Sequence, residues 1–154
     1  MRVRIAALTA PLLIGCAPLP KVPADFDDLP NISRKTVTSV QDLRAVFGHV
    51  DARFKACFDR PLYMYYPGPI QIGEWRHTAT ISESGRSAQI IFEQTGVQSF
   101  LLSRLDFSSD GSGTAVQIAT KPPHHRTLEP LFAMWIEKQG SECRVEQAAP
   151  TNDP

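Results

Sequence analysis

The sequence of 154 residues contains only three cysteines, Cys16, Cys57 and Cys143, and no Cys-x-x-Cys motif. It also contains no P-loop, no G-x-S-x-G motif and no H-E-x-x-H motif, so the corresponding nucleotide, serine-hydrolase and zinc-protease sites are excluded. No run of lysine and arginine is present, and the 16 basic residues only balance the 16 acidic ones. Because a surface that binds phosphates must be basic, we expect no nucleic acid among the partners.

A mostly apolar stretch lies at the N-terminus, where Arg2 and Arg4 precede residues 5–15. A basic start followed by a short apolar segment is typical of a secretory signal peptide. The segment is shorter than the roughly 20 apolar residues that a membrane-spanning helix needs. We therefore predict that residues 1–15 are a signal peptide that is removed by cleavage.

The residues around the predicted cleavage point, Leu13-Ile14-Gly15-Cys16, resemble the lipobox of bacterial lipoproteins. This resemblance implies that the thiol of Cys16 is diacylated, that cleavage occurs just before it, and that acyl chains hold the mature chain to a membrane. Ala17 stands where an aspartate in many such proteins favours the inner membrane, so the resemblance implies the periplasmic face of the outer membrane. An ordinary secretory signal with a coincidental cysteine is the alternative.

The remaining cysteines, Cys57 and Cys143, form an even count in a chain with a secretory signal. In an oxidising compartment this count predicts one disulfide, with Cα atoms about 4.4–6.8 Å apart. The bridge would close a long loop and contribute at most about 4.6 kcal/mol in the chain-entropy model. The alternative is a catalytic thiol with a histidine partner, and no motif supports it.

The distribution of proline divides the mature chain into three parts. Residues 16–35 contain four prolines and are predicted to form an extended tether that begins at the lipidated cysteine. Residues 36–147 are long enough to bury a core and are predicted to form a single domain. Residues 148–154 are predicted to be a disordered tail.

The periodicity of apolar residues predicts an α+β fold, a two-layer sandwich. Ser39 and Asp42 resemble a capping box and begin a helix that ends near Phe58. A four-stranded antiparallel meander is predicted at residues 74–82, 88–94, 97–107 and 114–120. A C-terminal helix follows, with an apolar stripe over residues 128–136 and an end at Gly140. Both helices are predicted to pack on one face of the sheet.

Two local clusters carry side chains that bind ligands in other proteins. Adjacent His124 and His125 point in different directions and have no acidic or thiol partner at ligand spacing, so we interpret them as a helix-entry loop. Tyr63, Tyr65 and Tyr66 form either a stacking surface for a sugar or peptide or a lid over one end of the core. We predict no metal, no cofactor and no catalytic residue, and we expect that the protein is not an enzyme.

The sheet face that points away from the helices is predicted to be mostly polar. If the strands alternate without interruption, Ile91, Phe100 and Leu102 lie in the middle of that face. Apolar side chains within a polar face are typical of a surface that a partner covers, so these three residues are the candidate interaction surface. Residues 61–70 are the one unassigned segment that could cover them instead.

Two functions follow from this interpretation. The first is a structural or protein-interaction module of the cell envelope that docks on another envelope protein. The second is a carrier or sensor that binds a small apolar ligand between the helices and the sheet. Eight phenylalanines and two tryptophans in so small a domain favour a filled core, and hence the first function. A void of some hundreds of Å³ lined by apolar side chains would favour the second.

Overall fold

A computed structural model describes residues 19–65, 68–109 and 111–143. Its elements, in chain order, are α1 (Asp25–Asp28), β1 (Ser33–Ser39), α2 (Leu43–Cys57), β2 (Arg60–Tyr65), β3 (Pro69–Ile81), β4 (Ser87–Gly96), β5 (Phe100–Ser109), β6 (Thr114–Thr120) and α3 (His125–Lys138). The six strands form one antiparallel sheet in the order β1-β6-β5-β4-β3-β2. The predicted four-stranded meander between an N-terminal and a C-terminal helix is therefore wrong, because the sheet is wider and a strand precedes the long first helix.

The two strands that the prediction lacks lie at the two edges of the sheet. β1 pairs with β6, and only Val37 of its seven residues is buried. β2 pairs with β3, and five of its six residues are exposed. An edge strand has one hydrogen-bonded neighbour and little burial, so the alternation that reveals a half-buried strand is absent from both sequences.

Helix α2 begins after Asp42, whose carboxylate accepts a hydrogen bond from the backbone N–H of Ala45 at 3.0 Å. This makes Asp42 the N-cap residue itself. Ser39 is the last residue of β1, so the predicted capping box is not formed. The buried stripe of α2 faces the sheet and consists of Leu43, Val46, Val50, Phe54 and Cys57.

Helix α3 packs beside α2 on the same face of the sheet. Its buried residues are Leu128, Leu131, Phe132, Ala133, Trp135 and Ile136. The indole N–H of Trp135 donates a hydrogen bond to the carbonyl of Glu142 at 2.8 Å, which holds the chain beyond the helix against it. The helix ends with Gln139 in the left-handed conformation (φ 50°), one residue before the predicted Gly140.

The segment before β1 covers the opposite face of the sheet. The backbone N–H of Leu101 donates to the carbonyl of Pro20 at 2.8 Å, and Phe26 is fully buried. A second apolar cluster forms there from Phe26, Ile32, Leu101 and Ala119, with Leu29 and Ile91 packed against it. The predicted tether over residues 16–35 is thus corrected: from residue 20 onward the chain is packed onto the sheet, and residues 33–35 belong to β1.

Arg104 of β5 is the main polar link between this segment and the sheet. Its guanidinium donates to both carboxylate oxygens of Asp27, at 2.6 and 2.9 Å, and to the carbonyl of Pro23 at 2.7 Å. Its Nε donates to Asp106 at 2.7 Å. The hydrogen bond from Arg104 lowers the pKa of Asp27. A bidentate pair of this kind fixes geometry as well as contributing energy, so it sets how α1 lies on the sheet.

Candidate functional site

A disulfide joins Cys57, the last residue of α2, to Cys143, which follows α3. The Cα atoms are 5.3 Å apart and the sulfur atoms 2.07 Å apart. The predicted bridge is therefore confirmed. It ties together the ends of the two helices on one face of the sheet, and Cys143 also contributes to the wall of a cleft at that end.

The cleft lies between the start of α3 and the sheet, beside the disulfide. Its volume is about 570 Å³. We call it the α3 cleft, and its lining residues are Phe58, Arg60, Trp75, Phe92, Leu102, His124, Thr127, Leu128, Leu131 and Cys143. This volume lies within the range of about 300–1,000 Å³ that small-molecule sites occupy.

Three aromatic rings form one wall of the α3 cleft. The rings of Phe58 and Phe92 have centroids 4.8 Å apart, and Trp75 meets both edge-on, at 5.8 and 6.1 Å. Phe58 is placed by the turn after α2, while Trp75 and Phe92 come from β3 and β4. Edge-on contacts of this kind stabilise aromatic clusters by about 0.5–1.5 kcal/mol each, so this wall is preformed.

A β-bulge determines which residues of β5 reach the α3 cleft. Phe92 lies opposite Ser103 and Glu93 lies opposite Leu101, so Leu102 has no partner across the strand pair. An extra residue of this kind reverses the inward and outward alternation on the two sides of the bulge. Phe100 and Leu102 therefore point to the helix face, whereas Arg104 remains on the opposite face.

The candidate interaction surface of Ile91, Phe100 and Leu102 is consequently not assembled in the structure. Leu102 is buried in the main core and lines the α3 cleft, and Phe100 packs against that core. Ile91 lies on the other face, against the cluster around Phe26. The prediction assumed uninterrupted alternation in β5, and the bulge at Leu102 is the physical reason that it does not hold.

One polar group in the wall of the α3 cleft lacks a hydrogen-bond partner. The indole Nε1 of Trp75 is buried and has no acceptor among the residues that the structure describes. An unpaired buried donor costs about 1–3 kcal/mol. Because this nitrogen has less than 1 Å² of accessible surface, it is closed off from the space of the α3 cleft.

The charged residues at and near the α3 cleft include two cations, Arg60 and Lys121. The guanidinium of Arg60 lies over the ring of Trp75 at 5.3 Å, and the ammonium of Lys121 lies over the ring of Phe100 at 4.3 Å. Within the described ranges, neither cation has a carboxylate at ion-pair distance. Burial lowers the pKa of Lys121. Burial and the charge of Lys121 also lower the pKa of His124, so this imidazole is neutral at pH 7.

The two adjacent histidines separate at the start of α3. His124 is the residue before the helix and lines the α3 cleft, while His125 is the first helical residue. Across residues 19–65, 68–109 and 111–143, no group of three or more His, Cys, Asp or Glu side chains is arranged to hold a metal ion. The sequence interpretation of a helix-entry loop thus matches the position of both residues but misses the contact of His124 with the cleft.

A second polar cluster, outside the lining of the α3 cleft, surrounds His77 of β3. Its Nε2 is 2.8 Å from Asp51 Oδ1 and its Nδ1 is 2.8 Å from Asp59 Oδ1. The imidazole is only 4% exposed and stacks on Phe54 at 5.3 Å. The ring thus lies between the two carboxylates. The cluster connects α2 to the β2–β3 edge, and we interpret it as structural.

The charge of Asp51 is part of this link. Burial raises the pKa of Asp51, but the hydrogen bonds from Lys55 and His77 together outweigh burial and hold the pKa below its usual value. A carboxyl group with a lowered pKa in the folded state contributes stability above its unfolded pKa. That contribution is lost as the pH falls through the folded pKa.

Several predicted positions fall outside the described residues or away from the cleft. Residues 1–15, Cys16 and the tail over residues 148–154 lie outside the described residues. Tyr63 and Tyr65 are exposed on the edge strand β2, so the described part of residues 61–70 does not cross the polar face, and Tyr66 lies outside the described residues. The N-terminal segment covers that face instead.

Comparisons with protein-family models, with curated proteins and with solved structures give no match to this chain. In the part of the chain that the structure describes, no helix is both long and apolar enough to cross a membrane.

Proposed function

We propose that the chain is a lipid-anchored envelope protein whose domain binds a small apolar or amphiphilic molecule in the α3 cleft, as a carrier or sensor. The observation that carries this proposal is the cleft itself, about 570 Å³ beside the main core. Its wall combines three aromatic rings and three leucines with a few polar groups. Sites for small molecules have this composition, since apolar area supplies affinity and a few polar groups supply orientation.

The anchor in this proposal is the acyl modification of Cys16, at the periplasmic face of the outer membrane. It rests on the lipobox resemblance and on Ala17. The packed part of the chain begins near Pro20, only four residues after Cys16. Four extended residues reach about 14 Å at most, so an acylated Cys16 would hold the domain close to the bilayer surface.

Replacing Thr127 with tryptophan tests the α3 cleft. Thr127 is exposed at its wall, so an indole there fills the entrance while the core stays intact. We expect the wild-type domain to bind one uncharged naphthylamine fluorophore per chain. We expect T127W to bind it about tenfold more weakly or worse, because the added ring occupies the site. Fluorescence titration measures both.

The matched control is Arg126→Trp, which adds the same ring to the neighbouring exposed residue, outside the cleft lining. R126W should bind the fluorophore as the wild type does. Equal affinities for T127W and R126W would contradict the proposal, as would an absence of saturable binding to the wild-type domain.

A docking module on another envelope protein is the second candidate function, and one observation favours it. The edge strand β2 and the start of β3 expose apolar side chains, namely Tyr63, Met64, Tyr65 and Ile70. An exposed edge strand can pair with an extended strand of a partner. Under this alternative, Met64→Lys would weaken co-purification with the partner, and the fluorophore would bind neither protein.

A further inference from the structure

The charges around the α3 cleft distinguish between classes of apolar ligand. Its ten lining residues include Arg60 and no aspartate or glutamate. Lys121 lies close enough to His124 for its positive charge to lower the pKa of that imidazole. The chain as a whole has no excess of positive charge. The lining of the α3 cleft is therefore basic on a neutral protein, and Asp59 and Glu74 line a separate pocket that Arg60 and Trp75 also border.

Arg60 is held in place without an anionic partner. It opens β2 opposite Trp75 of β3, and its guanidinium lies over the indole ring at 5.3 Å. A guanidinium stacked on a ring keeps its five N–H donors at its edge, in a fork that matches two oxygens of a carboxylate or phosphate. In the described residues those donors make no hydrogen bond and no ion pair, so they are available to a ligand.

Arg60 thus presents donors alone to the α3 cleft. A ligand that pairs with it must bring acceptor oxygens, and a negative charge makes those hydrogen bonds roughly twice as strong as neutral ones.

From these observations we infer that the ligand of the α3 cleft is an anionic amphiphile. Its charged headgroup binds Arg60, and its alkyl chain lies along Phe58, Leu128 and Leu131. This inference rests on the proposed function and adds the ligand class to it. Alkyl carboxylates and alkyl phosphates share the required chemistry.

Direct titration with three ligands of equal chain length tests the inference. Dodecanoate, dodecyl phosphate and uncharged dodecanol are each titrated into the wild-type chain by displacement of the naphthylamine fluorophore, below their micellar concentrations. We expect at least one of the two anions to bind about tenfold more tightly than dodecanol, with a preference that weakens as salt is added. The ratio of the two anions identifies the headgroup.

Arg60→Gln should remove this preference, because it replaces the guanidinium that binds the headgroup. The matched control is Arg76→Gln on β3, an exposed arginine that pairs with Glu74 and does not line the α3 cleft. R76Q should retain the preference, and Arg60→Lys should retain part of it. If dodecanol displaces the fluorophore as well as both anions do, or if R60Q weakens all three ligands equally, the anionic headgroup is refuted while apolar binding stands. If the fluorophore does not bind at all, both proposals fail.

Discussion

Removing the disulfide by replacing Cys57 and Cys143 together with alanine is expected to lower the free energy of unfolding by about 2–5 kcal/mol. The bridge spans a sequence separation of 86 residues, and its loss restores conformational freedom to a long loop of the unfolded chain. It also frees Cys143 from the end of α2, so the wall of the α3 cleft loosens. Urea denaturation measures the stability change.

Two controls separate this effect from side-chain truncation. Wild-type protein in a reducing buffer should lose most of the same stability, because the bridge opens while both side chains remain. The double variant should be insensitive to the reductant. A stability loss below about 1 kcal/mol in the double variant would show that the bridge contributes little to the fold.

Replacing Cys16 with serine is expected to abolish acyl labelling and to release the protein into the soluble periplasmic fraction. The effect should be complete, because a hydroxyl cannot take the place of the thiol in the lipobox chemistry, and two or three acyl chains are the only anchor proposed. Metabolic labelling with an alkyne fatty acid and fractionation of the envelope measure the two effects.

Ala17→Asp is the companion variant for the sorting part of this prediction. It should retain the acyl label and shift the protein from the outer to the inner membrane. Unchanged membrane fractionation of C16S would contradict the lipoprotein proposal. Unchanged sorting of A17D would contradict only the role of residue 17.

The sequence reveals the centre of the sheet more clearly than its edges. The strand patterns over residues 74–120 arise from β3 to β6, whose alternate residues are half-buried in β3 and buried in the other strands on the side of the two main helices. Edge strands produce no such pattern. In β1 only Val37 is buried, and in β2 an arginine and a proline precede mostly exposed residues. β1 is held by its pairing with β6, and β2 by its pairing with β3. Such pairing leaves no pattern in the sequence of the edge strand itself.

The N-terminal segment shows how tertiary contacts override a local pattern. Dense prolines around residues 18–30 predict an extended tether, and they do exclude long helices and strands there. They do not exclude packing. Phe26 fills an apolar site on the sheet and Arg104 holds Asp27 from 77 positions away. Arg104 is buried in the middle of β5, beneath this segment.

The α3 cleft could be anticipated only in part. The even number of cysteines beyond Cys16 predicted the disulfide, and this bridge brings Cys143, one of the lining residues, to the end of α2. The placement of Leu102 depends on a bulge, and a single extra residue in a strand leaves no distinctive sequence signal. Arg60 and Trp75 meet through strand pairing, so neither could be recognised as part of a site from its neighbours in the chain.

The central claim is that a small amphiphile occupies the α3 cleft, and covalent mapping of its position tests this claim most directly. The wild-type full-length chain is irradiated with a fatty acid that carries a photoreactive diazirine in its alkyl chain, and the modified peptides are identified by mass spectrometry. We predict adducts at the start of α3, over residues 124–131, and at residues 58–60, where the wall of the α3 cleft is formed. Adducts confined to the exposed edge at residues 63–65, or to the N-terminal segment at residues 20–32, would contradict the account.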